Sequence, residues 1–185
     1  ERETRAQLER VLGAGNRPTH VDGHKHLHVL PPLLDLILGL LQEYGIGAVR
    51  LPRERVPFSV SWAAAGAWPR ALAVTLLAER GRRRLSEAGV FFPDHFFGLF
   101  HTGALTEPVL LAMVKRLPEG VSELMCHPGC VDEALRAART RLRSCREEEL
   151  RALTSPTVRD EIRRRGVCLV TYEEAAQRHR LGSFV

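Results

Sequence analysis

Apolar residues recur along this chain with two periods, and the breaks between them fall at glycines and prolines. Leu8, Val11 and Leu12 form a stripe at helical spacing among charges, and GAGNRP (13–18) closes it, which predicts a first helix ending near Leu12. Pro31 and Pro32 open a strongly apolar helix, PLLDLILGLLQEYG, ended by Gly45. From about Trp62 to Ala88 the composition is helical, interrupted around Trp68-Pro69 and divided at Gly81. Thr106 stands at the N-cap of another helix, with Pro108 in its first turn and Gly120 past its end. Further helices start near Arg146 and at Ser155-Pro156, and Thr171-x-x-Glu174 is a capping box for a short last one.

Short apolar runs between these helices read as strands: THVDGH (19–24), AVRLP (48–52), DHFFGLF (94–100), VSELMCHPG (121–129) and GVCLVTY (166–172). RERVPFSVS (53–61) is a polar, Pro-bearing loop, and an Arg-rich loop follows His127. Strands separated by helices of this length pair in parallel through right-handed crossovers. Neither G-x-G-x-x-G nor G-x-x-x-x-G-K-[ST] occurs, so a barrel-like α/β domain over 1–185 is favoured over a nucleotide-binding sheet. In such folds chemistry gathers at the C-terminal ends of strands. One rim would then carry the histidines after the first strand, Arg50 after the second and His127 after the fourth.

The candidate chemistry centres on THVDGHKHLHVLPP (19–32), where His20, Asp22, His24, His26 and His28 fall at every second residue. In an extended chain residues two apart share a face, so Asp22 and His24 would lie together, with His26 joining them if the strand runs past Gly23. Imidazole and carboxylate donors suit a divalent metal such as Zn, Mn, Co or Mg. A solvated loop, or histidines hydrogen-bonded around a turn, would carry the same residues. His127 ends the apolar run Leu124-Met125-Cys126 in a His-Pro-Gly turn. There it is either a general acid with a suitable pKa or a residue that only caps the turn. Asp94 and Glu123 carry weaker signals, Cys126 sits in an apolar strand as an inert thiol, and His179 reads as solvated.

Composition adds limits. Hydrophobic residues make up 44% and charged residues 26%, as in a globular domain. No apolar run reaches the ~20 residues of a bilayer span. Four scattered cysteines suit a reducing cytoplasm. The net charge of +5 comes from arginine runs at 80–84, 136–146 and 163–165. No stacking aromatics accompany them, so they read as helix faces and not as a nucleic-acid surface.

PTHVDGHKHLHVLP (18–31), DHFFGLFHTGALT (94–106), ELMCHPG (123–129) and ELRALTSPTVRDEIRRRGVCLVTY (149–172) together resemble the YdjC-like (ChbG) carbohydrate deacetylases, in the right order over nearly the whole chain. The resemblance implies a distorted, TIM-like β/α barrel and metal-dependent removal of N-acetyl groups from amino sugars such as chitooligosaccharides. It implies a divalent cofactor, Mg first and Zn, Mn or Co otherwise, with His24 as one ligand. His127 becomes the candidate acid, and Asp22, His26 and Arg50 become supporting or substrate-binding groups. A small carbohydrate is the implied partner, homodimers are implied, and neither nucleic acid nor membrane is.

The family's paired-aspartate strand (N-A-D-D-F-G-like) and its G-x-H element have no counterpart here. The chain opens directly on a helical pattern. The expectation is therefore a partial barrel lacking its first strands, the C-terminal two-thirds of the family domain, with one of three metal ligands and impaired activity as it stands. Two other classes compete: a metal-dependent phosphoesterase or amidohydrolase, and a non-catalytic remnant that binds sugar or a partner.

Overall fold

The computed structural model describes residues 1–55, 66 and 68–182. The predicted loop at 53–61 and the start of the helical segment at Trp62 lie mostly outside them. The fold is mixed α/β, mostly helical, with one two-stranded parallel sheet among the described residues. Two compact units divide it. The first comprises Glu1–Arg53, Ala73–Asp94 and Val170–Val185, the second Glu54–Leu72 and His95–Leu169.

In the first unit α1 (Arg2–Gly13) has no fully buried residue and is tied down by polar contacts. Arg5 pairs with Glu43 and donates to the Tyr44 hydroxyl at 3.2 Å. The helix α2 (Pro31–Glu43) starts at its two prolines and buries Leu34, Ile37, Leu40 and Leu41 along one stripe. After Gly45 the chain crosses the unit as an extended segment. Val21 bridges Val49 and Ala48 bridges Phe91, both in parallel. The strands predicted at 19–24 and 48–52 are thus reduced to single bridges. Helix α3 (Trp68–Glu87), which belongs to this unit from Ala73 onward, is continuous through Gly81, against the predicted division. A side chain at Gly81 would meet Leu34 at 2.8 Å, so glycine here lets α3 approach α2 closely and does not break the helix. The last helix, α8 (Tyr172–Arg180), starts at the predicted capping box: Thr171 Oγ1 accepts from Glu174 N–H, and the Glu174 carboxylate accepts from Thr171 N–H.

In the second unit β1 (His95–Phe97) pairs in parallel with β2 (Ser122–Leu124), with Phe97 opposite Leu124. The connection between them carries α4 (Glu107–Val114), as the crossover rule requires. Thr106 is the N-cap of α4 by position, but its side chain makes no capping bond. Leu105, Leu110, Val114, Ala152 and Val158 form the buried centre where α4 packs on α6 (Cys145–Thr154) and α7 (Pro156–Arg164). A five-residue helix, α5 (Glu133–Ala137), interrupts the predicted Arg-rich loop. The strand predicted at 166–172 does not form. Residues 167–171 are irregular, and Leu169 is 82% exposed. A β-branched run becomes a strand only when a neighbour supplies its hydrogen bonds.

Candidate functional site

In the first unit the parallel bridge between Val21 and Val49 places the next residues, Asp22 and Arg50, side by side. Arg50 Nη1 donates to Asp22 Oδ2 at 2.5 Å. The chain then leaves the extended conformation. Gly23 precedes a 3-10 segment, His24–Val29, in which Lys25 and His26 take left-handed φ of 53° and 62°. Such angles cost energy at non-glycine residues and concentrate at functional sites. The every-second-residue pattern therefore does not put the histidines on one strand face, and His26 reaches Asp22 by a turn of chain instead.

His28 is buried, and its protonation is fixed by two partners. Its Nδ1 accepts the Gly23 N–H at 3.0 Å, so the proton sits on Nε2, which donates to the Arg50 carbonyl at 2.8 Å. The ring is thus neutral. Its 3.8 Å approach to Asp22 Oδ1 is then not an ion pair, because the facing nitrogen already spends its lone pair on an amide. His26 Nδ1 lies 4.0 Å from the same Asp22 oxygen, and its ring meets His28 edge-on. His20 stacks flat on Tyr172, with ring centroids 3.9 Å apart. His24 is exposed and, with Asp22, borders a cleft of about 460 Å³ whose apolar walls include Leu8 of α1 and Leu33 and Leu36 of α2.

A Cβ at Gly23 would lie 2.8 Å from His28 Nδ1. Gly23→Ala is expected to expel the ring, leave both its backbone partners unsatisfied and cost about 1–3 kcal/mol in urea denaturation. Gly39, in α2 with open space around it, is the internal control. Gly39→Ala is expected to stabilise by about 0.5–1 kcal/mol. Equal effects at the two positions would overturn this account of His28.

His127 belongs to the second unit, three residues past β2. Its backbone N–H donates to Glu149, a carboxylate 1% exposed on α6, and its carbonyl accepts from Arg146 Nη1 at 3.4 Å. A second buried carboxylate, Glu54, accepts the amides of Gly98, Leu99 and Phe100 at 3.2, 2.6 and 3.1 Å, in the turn that follows β1. Burial pushes its carboxyl up to about 7, against the pull of those amides. Sequence reasoning missed both glutamates. Glu54 sits in a charged run, RER, and Glu149 in EEE; both look solvated by composition. Two further histidines stand apart from these groups: the ring of His95 bonds the Glu119 carbonyl at 3.1 Å, and His179 is exposed, as expected, with one side toward the Phe91 ring.

No group of three or more His, Cys, Asp or Glu among the described residues is arranged to hold a metal. Asp22 faces a guanidinium, and both nitrogens of His28 are engaged with backbone. His24 is left as an exposed imidazole donor at the cleft, and the residues described here do not complete a metal-binding set.

The model of the family described as YdjC-like protein matches residues 1–164. The carbohydrate deacetylase of Geobacillus stearothermophilus is 34% identical over 175 residues, covering 94% of this chain and 58% of that protein. A human carbohydrate deacetylase is 32% identical, covering 93% of this chain and 59% of that protein. The chitooligosaccharide deacetylase of Yersinia pestis (strain Pestoides F) is 30% identical, with 99% and 58% covered. A solved structure from Enterococcus faecalis V583, described as a cellobiose-phosphate cleavage protein, superposes with a TM-score of 0.65 at 25% identity, over 91% of this chain and 57% of that one. The chain therefore spans somewhat under three-fifths of the length of these relatives. With the family match running over most of its residues, the chain belongs to the YdjC-like family.

Proposed function

We propose that these residues are part of a metal-dependent hydrolase that removes N-acetyl groups from amino-sugar carbohydrates of the chitooligosaccharide type. The observation that carries this reading is the family match together with relatives named carbohydrate and chitooligosaccharide deacetylases. The finer fold that goes with it is a distorted β/α barrel, supported by the parallel pairing of β1 and β2 across α4. Free cysteines at all four positions support a cytoplasmic location.

His24 is the proposed metal ligand, an exposed imidazole at the edge of a cleft large enough for a sugar ring. Mg is the proposed cation, with Zn, Mn or Co as alternatives. When bound, such a cation polarises an acyl carbonyl. Because these residues alone do not complete its ligand set, the remaining roles concern the chain's own groups. Asp22, held by Arg50, supports the turn that presents His24. His127 is the proposed acid that returns a proton to the leaving amine. By itself this chain is proposed to be impaired or inactive.

The test is acetate release from N-acetylglucosamine oligosaccharides by the chain joined to an upstream strand carrying the family's paired aspartates. Release with a divalent metal is expected. No release with any divalent metal, or turnover of a phosphoester instead, would overturn the reading. In that extended protein His24→Ala is expected to weaken metal affinity by on the order of a hundredfold or more by calorimetry. Unchanged affinity would remove His24 from the ligand set.

A further inference from the structure

We propose that Glu54 is a positioning residue for His127, acting through the turn that follows β1. The inference rests on the reading of His127 as the acid, but its geometry is independent of that reading. Glu54 is 2% exposed, and its two oxygens take three successive backbone amides, Gly98 to Phe100. Converging amides of this kind form an anion-binding nest. Thr102 closes the same turn from the other side, its hydroxyl donating to the carbonyls of Gly98 and Leu99 at 3.1 and 2.8 Å.

That turn lies directly on the end of β2. Met125 N–H donates to the Phe97 carbonyl at 2.9 Å, and a Cβ at Gly98 would stand 2.2 Å from Met125 O. Two residues later comes His127, whose own N–H is held by Glu149. The strand end that carries His127 is therefore set from two sides, by Glu54 through the turn and by Glu149 directly. Buried, and with its oxygens taking three successive amides, Glu54 bears directly on this turn.

The same carboxylate makes the device proton-linked. Among the described residues a titratable side chain beside it is His101, 4% exposed, with Nδ1 3.9 Å from Glu54 Oε1. Arg53, its chain neighbour, turns instead to Glu79 and to the Asp94 carbonyl. Burial raises the Glu54 carboxyl from its ordinary 4.5 to about 7. Protonation converts one acceptor oxygen into a hydroxyl, so the nest holds its amides most fully above that pH. The folded chain keeps this proton between 4.5 and about 7 while the unfolded chain has lost it. Stability from this group is thus full below 4.5 and falls as pH rises to about 7.

The experiment is an NMR titration of this chain from pH 5 to 8.5, following the Glu54 side-chain carboxyl carbon and the backbone amides of 98–100 and 125–127. The carboxyl and both sets of amides are expected to share a transition near 7. Glu54→Gln is expected to remove it from both sets of amides. A Glu54 carboxyl that titrates below 5, or 98–100 amides that move without 125–127, would overturn the proposal. If Glu54→Gln does not fold, the shared midpoint in the unsubstituted chain decides alone. Coupled amides in a protein that fails to deacetylate would leave this coupling standing and remove only the catalytic meaning of His127.

Discussion

Replacing Gly98 by alanine is expected to destabilise the protein by about 3–5 kcal/mol. Two terms add. Gly98 has a φ of +101°, where an L side chain is strained by roughly 1–2 kcal/mol. The new Cβ would also stand 2.2 Å from the Met125 carbonyl oxygen, a backbone atom that cannot rotate away. Relief requires the ends of β1 and β2 to separate. The bond from Met125 N–H to the Phe97 carbonyl then weakens, and the amides seated on Glu54 shift with it. Urea denaturation measures the loss, and Gly39→Ala in the exposed face of α2 serves as the tolerant comparison. A change of under about 1 kcal/mol at Gly98 would mean that the two strand ends are not in contact.

The parts of this fold that were legible in the sequence are those whose cause is local. Pro31-Pro32 and Ser155-Pro156 start helices because proline presets φ and needs no hydrogen-bond partner there. Thr171 and Glu174 satisfy each other's amides within four residues, so the box can be read without knowing what surrounds it. Strands fared worse because they depend on a distant partner. The run at 166–172 has strand composition but no strand, and THVDGH keeps one bridge before Gly23 releases the chain into a 3-10 turn. The alternation of His20 to His28 leaves two arrangements open, a strand face shared by Asp22 and His24 or histidines hydrogen-bonded around a turn, and it does not place the rings on one face. It instead distributes the rings: His20 on Tyr172, His28 against two backbone groups, and His24 outward at the cleft. Asp22 and Arg50 are each legible as strand-end residues on one rim, whereas their pairing is set by the bridge between Val21 and Val49. Glu54 and Glu149 could not be found from sequence, because burial of a carboxylate is decided by residues 44 and 22 positions away.

Glu149 carries the second large expectation. It is 1% exposed and receives the His127 N–H, while its neighbours on α6 hold the rest of the same loop. The Arg146 carbonyl accepts Gly129 N–H at 3.2 Å, and Glu147 accepts Val131 N–H at 3.1 Å. The first turn of α6 thus grips residues 127–131 through their backbone, and Glu149 is the buried member of that grip. Glu149→Ala removes the acceptor and leaves a cavity, an expected loss of about 2–3 kcal/mol in urea denaturation. Glu149→Gln keeps an oxygen at the same reach without the cost of burying charge, and is expected to stay within about 1 kcal/mol of the unsubstituted chain. Hydrogen exchange at the His127 amide should separate the two, fast in the alanine variant and protected in the glutamine variant. Equal losses in both would show that the charge of Glu149, and not its hydrogen bond to His127, supports the loop. In the extended enzyme the alanine variant is expected to lose turnover more than metal affinity, because the disturbed backbone is that of the proposed acid.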